Sequence, residues 1–296
     1  MTRFSIIIPV YNEPDGIDTT LRSLVEQDHD SFELIPVNNN SKDDTPSVIQ
    51  NWAERYPEQI FPAVEREIQS SYAARNTGIE TAQGELFVFI DADMTVPSGW
   101  LERIDAAFRD NNVDYLGYDI ELQIPDGEEG YWAWYNQQMG LPARWYFDHH
   151  QYVPTSALAV RHSVFDHVGL FNEELVSGGD KKFGRKVHDH PELTMAFTDD
   201  IVVYHPARTS FKDLYTKSMR LGRGKAQELH LPDSSERESP TVWGVLVYAL
   251  PPSPLRILEI AETETVQGYL GLYLGAVVYK YLQVLGTLRH LRTADG

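Results

Sequence analysis

The sequence predicts an α/β protein whose central sheet is mostly parallel and flanked by helices. Short apolar runs, rich in β-branched and aromatic residues, alternate along the chain with segments of helical periodicity, which is typical of βαβ units. One of these runs, residues 86–90, is continuously apolar and too short for a helix. It is therefore expected to form a fully buried central strand.

Composition narrows the class of protein further. The chain has 296 residues, with 44 acidic against 25 basic residues, a formal net charge of −19 and an ordinary hydrophobic fraction of 42%. So large an acidic excess on a foldable composition excludes disorder, argues against a nucleic-acid partner and predicts adaptation to a high-salt cytoplasm. The absence of cysteine excludes disulfides and thiolate metal sites, as expected in a reducing compartment.

The first 95 residues are predicted to contain four strands with helices between them. The N-terminus lacks the length and cleavage site of a signal peptide, so its apolar run is expected to be the first strand. The predicted strands are 4–10, 32–37, 60–64 and 86–90. Apolar residues at helical spacing predict helices around 17–25, from Asp44 or Thr45 onward with Pro46 in the first turn, and over 73–82.

Over the next 135 residues, predicted strands and helices continue to alternate. Strands are predicted at 115–124, 154–160 and 201–204, and helices after Ser98, at 162–168, at 178–187 and at 211–229. Between them, residues 128–150 are rich in aromatic side chains and are expected to form a helix and a loop. Five of these aromatics are Tyr131, Trp132, Trp134, Tyr135 and Trp145.

Polar side chains follow four of the predicted strands at the point where each strand ends. They are Tyr11-Asn12-Glu13, Asn38-Asn39, Asp91 with Asp93, and His205. Ligands bind at this edge of α/β sheets. Two acids at the end of a buried strand are costly unless a positive group neutralises them, and Mg²⁺ or Mn²⁺ commonly takes one or two protein carboxylates and shares a substrate's phosphates. An isolated Asp-x-Asp is more often a solvated turn; the neighbouring strand ends argue against that interpretation here.

In this order the segments resemble the family 2 glycosyltransferases of the GT-A fold. The matching segments are Ile-Ile-Pro-Val-Tyr-Asn-Glu (7–13), Val-Asn-Asn-Asn-Ser-Lys-Asp-Asp-Thr (37–45), Ala-Arg-Asn-Thr-Gly-Ile (74–79), Gly-Glu-Leu-Phe-Val-Phe-Ile-Asp-Ala-Asp (84–93) and Gly-Gly-Asp (178–180). The resemblance is dense over 4–93, thinner to about 225, and says nothing beyond 240. It implies a Rossmann-like GT-A catalytic domain at 1–230, with a nucleotide-sugar half at 1–95 and an acceptor half at 96–230.

The resemblance also implies which residues hold the nucleotide of a nucleotide-sugar donor. Pro9, Tyr11 and Glu13 would line the pocket, with Glu13 as a ribose ligand. Asn39 lies where the family usually has an acid that contacts the base. Because an amide can donate as well as accept, an asparagine here allows bases other than uracil, although a uridine donor is still the one we expect.

For the diphosphate and the metal ion, the resemblance implies roles for Arg75, Asp91 and Asp93, and the end of a predicted strand adds His205 as a candidate. Arg75 would steady the diphosphate or the neighbouring acids, and the alternative is a structural salt bridge. Asp91 would face the ribose or the sugar, and Asp93 would hold the Mn²⁺ or Mg²⁺ ion that bridges the diphosphate. His205 would be a further metal ligand or a diphosphate contact, with a structural histidine as the alternative.

Asp180 follows two glycines at the start of a predicted helix, where it could be only an N-cap. The family commonly has a Glu-Asp pair here whose aspartate is the general base, and this chain has Gly-Asp instead. Glycines beside the acid would let the backbone approach a substrate closely. Its position after the metal motif is the one the family pattern requires, which favours the catalytic base.

Basic residues reverse the charge of the chain over 181–225, where ten bases stand against five acids after Asp180. This local reversal predicts an anionic ligand: the donor diphosphate, a lipid phosphate, or both. We assign Arg208, Arg220 and Arg223 to this role.

A polar break at 231–240 is predicted to be a linker to an apolar helical segment at 241–296. Residues 266–288 carry one charge, Lys280, and are long enough to span a bilayer, whereas 242–250 are too short. Six aromatics resemble an interfacial belt: Trp243, Tyr248, Tyr269, Tyr273, Tyr279 and Tyr281. The alternative is a pair of helices packed on the catalytic domain or in a homodimer, and Gly271-x-x-x-Gly275 is compatible with such close contact.

Together these features predict an inverting, metal-dependent glycosyltransferase at the cytoplasmic face of the cell membrane. Asp180 would deprotonate an acceptor hydroxyl on a lipid-linked or surface glycan, which attacks the anomeric carbon. One alternative is transfer onto polyprenyl phosphate, which needs no base. Another is a non-catalytic subunit that binds sugar nucleotides, which the intact Asp91, Asp93 and Asp180 argue against.

Overall fold

The structure, a computed structural model, describes residues 2–110, 112–230, 248–263 and 265–294. The chain forms two compact units. The first comprises Met1–Glu121, Pro142–Glu174 and Gly179–His205, and the second comprises Leu122–Leu141, Leu175–Gly178 and Pro206–Gly296. The predicted linker at 231–240 lies outside the described residues, and the predicted division of the chain at 230 stays a prediction.

A seven-stranded sheet forms the centre of the fold. Its strands are β1 (Phe4–Val10), β2 (Phe32–Asn38), β3 (Ala63–Val64), β4 (Leu86–Phe89), β5 (Tyr115–Gln123), β6 (Leu158–Arg161) and β7 (Met195–Pro206). They are arranged in the order β3-β2-β1-β4-β6-β5-β7. The first four in this order run parallel, whereas β6 runs antiparallel to both β4 and β5. The α/β class and the largely parallel sheet are therefore confirmed.

Helices in the first unit cover this sheet. They are α1 (Pro14–Val25), α2 (Thr45–Arg55), α3 (Ser71–Thr81), α4 (Trp100–Asp110), α6 (Ala143–His150), α7 (Ser163–Val168) and α8 (Gly179–Asp189). The strand predicted at 86–90 is completely buried, as expected for the middle of a covered sheet. Helix α3 approaches β1 closely because it has a glycine there: a Cβ on Gly78 would lie 2.5 Å from the Ile7 side chain.

Several element boundaries differ from the predicted ones. The third strand is limited to Ala63–Val64, with an isolated bridge at Ile60, and the strand predicted from 154 begins only at Leu158 because Thr155–Ala157 form a 3₁₀ turn. The last strand is longer than predicted. The helix predicted after Ser98 begins at Trp100, and the side chain of Gln27 caps it, since the N–H groups of Trp100 and Leu101 donate to Oε1 of Gln27, at 3.0 and 3.4 Å.

The second unit is helical, with α5 (Tyr131–Met139), α9 (Phe211–His230), α10 (Pro254–Ile260) and α11 (Val266–Ala294). Helix α11 packs along α9, where glycines let the two backbones meet. A Cβ on Gly286 would lie 2.9 Å from the Met219 carbonyl oxygen, and the Thr287 hydroxyl donates to the Gly222 carbonyl at 3.0 Å. In the Gly222-Arg223-Gly224 segment, Gly222 is therefore needed where α9 packs closely against α11.

The C-terminal helix also packs against α5. A Cβ on Gly275 would lie 2.5 Å from the ring of Tyr135, so the small residue is required by a contact inside this unit. Of the aromatics predicted to form a belt, Tyr269, Tyr273 and Tyr279 pack against the core of the unit. Trp243 lies outside the described residues. In the parts of the chain that the structure describes, no helix has both the length and the apolar character needed to cross a bilayer.

Candidate functional site

The polar segments after β1, β2 and β4 meet at one edge of the sheet, because β1 pairs in parallel with both neighbours. Hydrogen bonds then join the first two loops. The N–H of Asn12 donates to the Ser41 hydroxyl at 3.0 Å, and the N–H of Glu13 donates to the Thr45 hydroxyl at 2.9 Å. Asn12 and Asn40 adopt left-handed backbone conformations, φ 50° and 60°, which asparagine tolerates. The edge is thus built from two loops of defined shape.

Asn39 presents a buried acceptor at this edge. Its Nδ2 donates to the Ser70 carbonyl at 2.8 Å, and this bond fixes the orientation of the amide because a carbonyl oxygen only accepts. Within the described part of the chain, its buried Oδ1 has no hydrogen-bond partner. A buried polar atom without a partner is costly, so this oxygen suits a ligand N–H group.

The two other nucleotide candidates from β1 differ in exposure. Pro9 lies within the strand, beside Val37 of β2. Tyr11 follows the strand with 50% of its surface exposed, so its ring is accessible to a ligand at the edge. This placement is compatible with both predicted roles.

Glu13 lies close to the acids that follow β4. A Cβ on Gly16 would lie 2.6 Å from Cγ of Glu13 and 2.7 Å from the Ala92 carbonyl oxygen, so a glycine is needed where α1 approaches this loop. Burial raises the pKa of Glu13, and repulsion from Asp93 raises it further. The carboxylates at this edge therefore repel one another, and this repulsion disfavours the ionised form of Glu13.

Asp91 is held by an ion pair with Arg75, whose Nη2 lies 2.7 Å from Asp91 Oδ1. The arginine is almost completely buried, with 6% of its side chain exposed, and it lies over the ring of Tyr72 with Cζ 5.6 Å from the centroid. Its buried Nε lacks a partner among the residues that the structure describes. This ion pair is compatible both with a role in steadying the neighbouring acid and with a structural salt bridge, so the role of Arg75 stays a prediction.

Asp93 and His205 form the second pair, with 3.7 Å between Asp93 Oδ1 and His205 Nε2. Two backbone hydrogen bonds of 2.9 Å between Thr95 and Tyr204 bring β7 beside the segment after Asp93. A carboxylate and an imidazole at this separation could both reach one divalent ion, because two bonds of about 2.1 Å span up to about 4 Å. Over the described residues, no cluster of three or more His, Asp or Glu side chains is arranged as a metal site. Any ion here would need ligands from a substrate as well.

Asp180 lies at the start of α8, and its Oδ1 accepts hydrogen bonds from the Lys181 N–H at 3.1 Å and the Tyr72 hydroxyl at 3.3 Å. Burial raises the pKa of its carboxyl, while the charge of Arg75 and these two hydrogen bonds lower it in part. A carboxylate with a raised pKa is a stronger proton acceptor than an ordinary aspartate. Asp180 therefore has the properties of a general base as well as those of a helix start.

Tyr72 is a residue of this site that the sequence did not identify. Its hydroxyl accepts from the Gly179 N–H at 3.0 Å and donates to Asp180, while its ring lies under Arg75. A Cβ on Gly179 would lie 2.7 Å from this ring, which is why glycine precedes the acid. Tyr72 thereby joins the candidate base, through Arg75, to Asp91. A tyrosine in a helix has no motif that could have identified it.

The comparisons with known proteins decide the family. Residues 5–169 match Glycosyl transferase family 2. The chain belongs to this family. It is 34% identical over 257 residues to Glycosyltransferase AglE from Haloferax volcanii, covering 84% of this chain and 82% of that protein. The predicted family and the predicted glycosyltransferase class are therefore confirmed, and a relative from this organism agrees with the halophilic composition.

Solved structures confirm the GT-A fold of this glycosyltransferase. The mannosyltransferase PcManGT from Pyrobaculum calidifontis, in complex with GDP-Man and Mn²⁺, superposes with a TM-score of 0.64 at 18% identity, covering 98% of this chain and 87% of that one. TarS residues 1–349 from S. aureus, in complex with UDP-GlcNAc, gives 0.55 at 18% identity, covering 99% and 92%. At such low identity the likeness concerns the fold alone.

The three predicted phosphate-binding arginines of this glycosyltransferase lie in the second compact unit, whereas the residues at the edge of the sheet lie in the first. The backbone N–H of Arg208 donates to Asn136 Oδ1 at 2.7 Å. Arg220 and Arg223 are exposed on α9. Lys217, on the same helix as Arg220 and Arg223, is only 8% exposed, and its Nζ donates to the Gly140 carbonyl at 3.3 Å. Burial lowers the pKa of Lys217 well below its usual value, and the charges of Arg208 and Arg220 add to this effect. Sequence analysis counted Lys217 only as one base among ten.

Proposed function

We propose that this glycosyltransferase is an inverting enzyme that moves a sugar from a UDP-linked donor to a hydroxyl of a lipid-linked or surface glycan. One observation supports this above the others. Within a single compact unit, Asp180 is connected through Tyr72 and Arg75 to Asp91 at the carboxyl edge of the sheet. A candidate base and a candidate donor site are thus held by one chain of contacts.

Uridine is the proposed base because of Asn39. The Watson–Crick edge of uracil presents one N–H group, and the Oδ1 of Asn39 is a single buried acceptor that awaits one donor. Tyr11 would stack on the ring and Glu13 would accept from a ribose hydroxyl, with Pro9 as part of the wall. Guanine presents two donor groups on the corresponding edge, which matches one acceptor less well.

The divalent ion, Mn²⁺ or Mg²⁺, would be held by Asp93 and His205 together with the donor phosphates. When bound, such an ion neutralises negative charge on the departing diphosphate. Arg75 keeps Asp91 oriented beside this site and neutralises its charge. Glu13 and Asp93 would repel each other less once a cation is present, since each lies in the field of the other.

In the transfer step, the Asp180 carboxylate takes the proton of the acceptor hydroxyl. The hydroxyl oxygen forms a bond to the anomeric carbon while the bond from that carbon to the diphosphate oxygen breaks, and the electron pair leaves with the UDP. A single displacement of this kind inverts the configuration. The raised pKa of Asp180 favours the proton transfer.

Transfer onto a polyprenyl phosphate is the second candidate, and the second unit favours it. Lys217 is buried within the influence of the charges of Arg208 and Arg220, and like charges held together are stabilised by an anion such as a phosphate monoester. An ionised phosphate oxygen is already a nucleophile, so Asp180 would then be dispensable. The requirement for Asp180 separates the two candidates.

A calorimetric screen of UDP, GDP, CDP and ADP in molar salt, with and without Mn²⁺, tests the donor proposal. UDP should bind most tightly and only with the ion. Asn39→Ala should weaken UDP binding about tenfold, because a net hydrogen bond contributes ~0.5–1.5 kcal/mol and a ligand N–H would lose its partner. Asn51→Ala, on the exposed side of α2, is the matched control. Tighter binding of GDP would overturn the uridine assignment, and no nucleotide binding would overturn the donor site.

A further inference from the structure

Helix α11 exposes an apolar row along one face. The row consists of Val266, Leu270, Leu274, Val278, Tyr281, Leu285 and Leu288, each between 39% and 75% exposed. Steps of three and four residues keep all of them on one side of the helix. The other side is buried within the unit, through Leu272, Ala276, Val284 and Thr287. Among the described residues, the row therefore contributes little to the packing of the second unit.

The chemistry of this helix differs from that of the rest of the chain. Residues 265–294 contain no aspartate or glutamate, although the whole chain has 44, and their only charged side chains are Lys280, Arg289 and Arg292. An acidic surface keeps a protein soluble in high salt. A long helix that exposes leucines and lacks acids is thus poorly suited to contact with salt water, and such a patch marks an interaction site.

The residues beside the row indicate whether a second helix or a lipid surface would cover it. Helices that pair through a narrow apolar seam usually carry charged residues on its flanks, which set the partner and its direction. Most of the residues beside this row are uncharged, among them Gly271, Tyr273, Val277 and Leu282, and the one nearby base, Lys280, is turned to the ring of Tyr248, with Nζ 3.6 Å from its centroid. Arg289, next to the last leucine of the row, is exposed at its C-terminal end. A broad apolar face with bases at one end fits a lipid interface, where leucines enter the acyl boundary and arginine meets phosphate headgroups.

We propose that the exposed face of α11 lies on a lipid surface, with the row from Val266 to Leu288 in the interfacial layer and Arg289 at the headgroups. Helix α10 of the same unit also exposes two leucines, Leu255 and Leu258. This inference goes beyond the proposed function and does not depend on the identity of the donor or acceptor.

Flotation of the full-length protein with phosphatidylglycerol vesicles, in molar salt and without glycolipid, tests the proposal. The wild type should float with the vesicles. The variant Leu270→Gln/Leu274→Gln/Leu285→Gln should lose at least tenfold in the floated fraction. The control Phe61→Gln/Leu170→Gln, which replaces exposed apolar residues of the first unit, should float like the wild type. Melting temperature and UDP binding should be the same in all three proteins.

Two results would overturn the proposal. One is a wild type that stays in the vesicle-free fraction. Light scattering in the same buffer then shows whether the protein is a dimer that the triple variant dissociates, which would mean that the face pairs with a second copy, or a monomer in which the face stays uncovered. The other is a triple variant that floats as well as the wild type. If the triple variant melts early, Leu274→Gln alone, at a position 63% exposed, repeats the test without that complication. Normal UDP binding in a protein that fails to float would leave the donor proposal intact.

Discussion

Replacing Asp180 by asparagine separates chemistry from binding. Asparagine keeps the shape, and its Oδ1 can still accept from the Lys181 N–H and the Tyr72 hydroxyl, but it cannot take the acceptor's proton. General-base catalysis contributes typically ~10²–10⁴ in rate, or about 3–5 kcal/mol of barrier. Turnover should fall by that amount. Affinity for UDP with Mn²⁺ should stay the same, because the carboxylate acts on the acceptor.

The same substitution should stabilise the fold at neutral pH. Because burial raises the pKa of Asp180, the native state binds more protons than the unfolded chain between the ordinary aspartate pKa of about 3.9 and the raised value. Stability therefore falls as pH rises through this window, and the loss persists above it. Asp180→Asn removes the loss, so the variant should melt at a higher temperature at pH 7. The difference should vanish on acidification below the ordinary aspartate pKa.

The assay combines UDP release during transfer to a lipid-linked oligosaccharide extract with calorimetric titration of UDP and thermal melting over pH. Asp166→Asn, an exposed acid at the start of α7, is the matched control and should change none of the three. Near-native turnover of Asp180→Asn would refute the base assignment and favour transfer onto a polyprenyl phosphate. Loss of UDP binding would instead place Asp180 in the donor pocket.

Three further predictions concern the edge, the linking tyrosine and the surface. Asp93→Ala removes a proposed metal ligand, so Mn²⁺-dependent UDP binding and turnover should fall together; binding that survives with its Mn²⁺ dependence intact would contradict the assignment. Tyr72→Phe removes a hydrogen bond that lowers the pKa of Asp180, so the acid limb of the pH–rate profile should move to higher pH, and an unmoved limb would show that the hydroxyl does not act on the base. Dialysis from 1 M to 0.1 M salt lengthens screening from ~3 to ~10 Å, which strengthens repulsion on a chain of net charge −19 and should lower the melting temperature; an unchanged temperature would argue against a salt-dependent fold.

The nucleotide edge of the fold was predictable because its signals are local. A continuous apolar run such as 86–90 has few alternatives to a buried strand, and parallel pairing of β1 with β2 and β4 then brings the residues after each strand to one place. Boundaries were less predictable. The Thr155–Ala157 turn and the cap supplied by Gln27 depend on contacts between distant segments, which apolar spacing does not encode.

Residues whose role depends on packing escaped prediction for the same reason. Tyr72 and Gly179 are over one hundred positions apart, and their contact exists only once α3 and α8 are in place. Lys217 is one base among ten in its segment until α9 buries it beside Arg208. A single sequence shows the composition of such clusters but does not show which member is removed from water.

The carboxyl edge of the sheet brings several carboxylates close together, and their mutual repulsion supports the proposal of a cationic ligand there. Arg75 neutralises Asp91, but burial and repulsion from Asp93 still raise the pKa of Glu13. His205 lies 3.7 Å from Asp93, too far for a short hydrogen bond and close enough to share an ion. A set of residues selected for stability alone would place apolar or paired side chains at these positions. This concentration of negative charge supports the proposal that a divalent cation binds here together with the diphosphate of the donor.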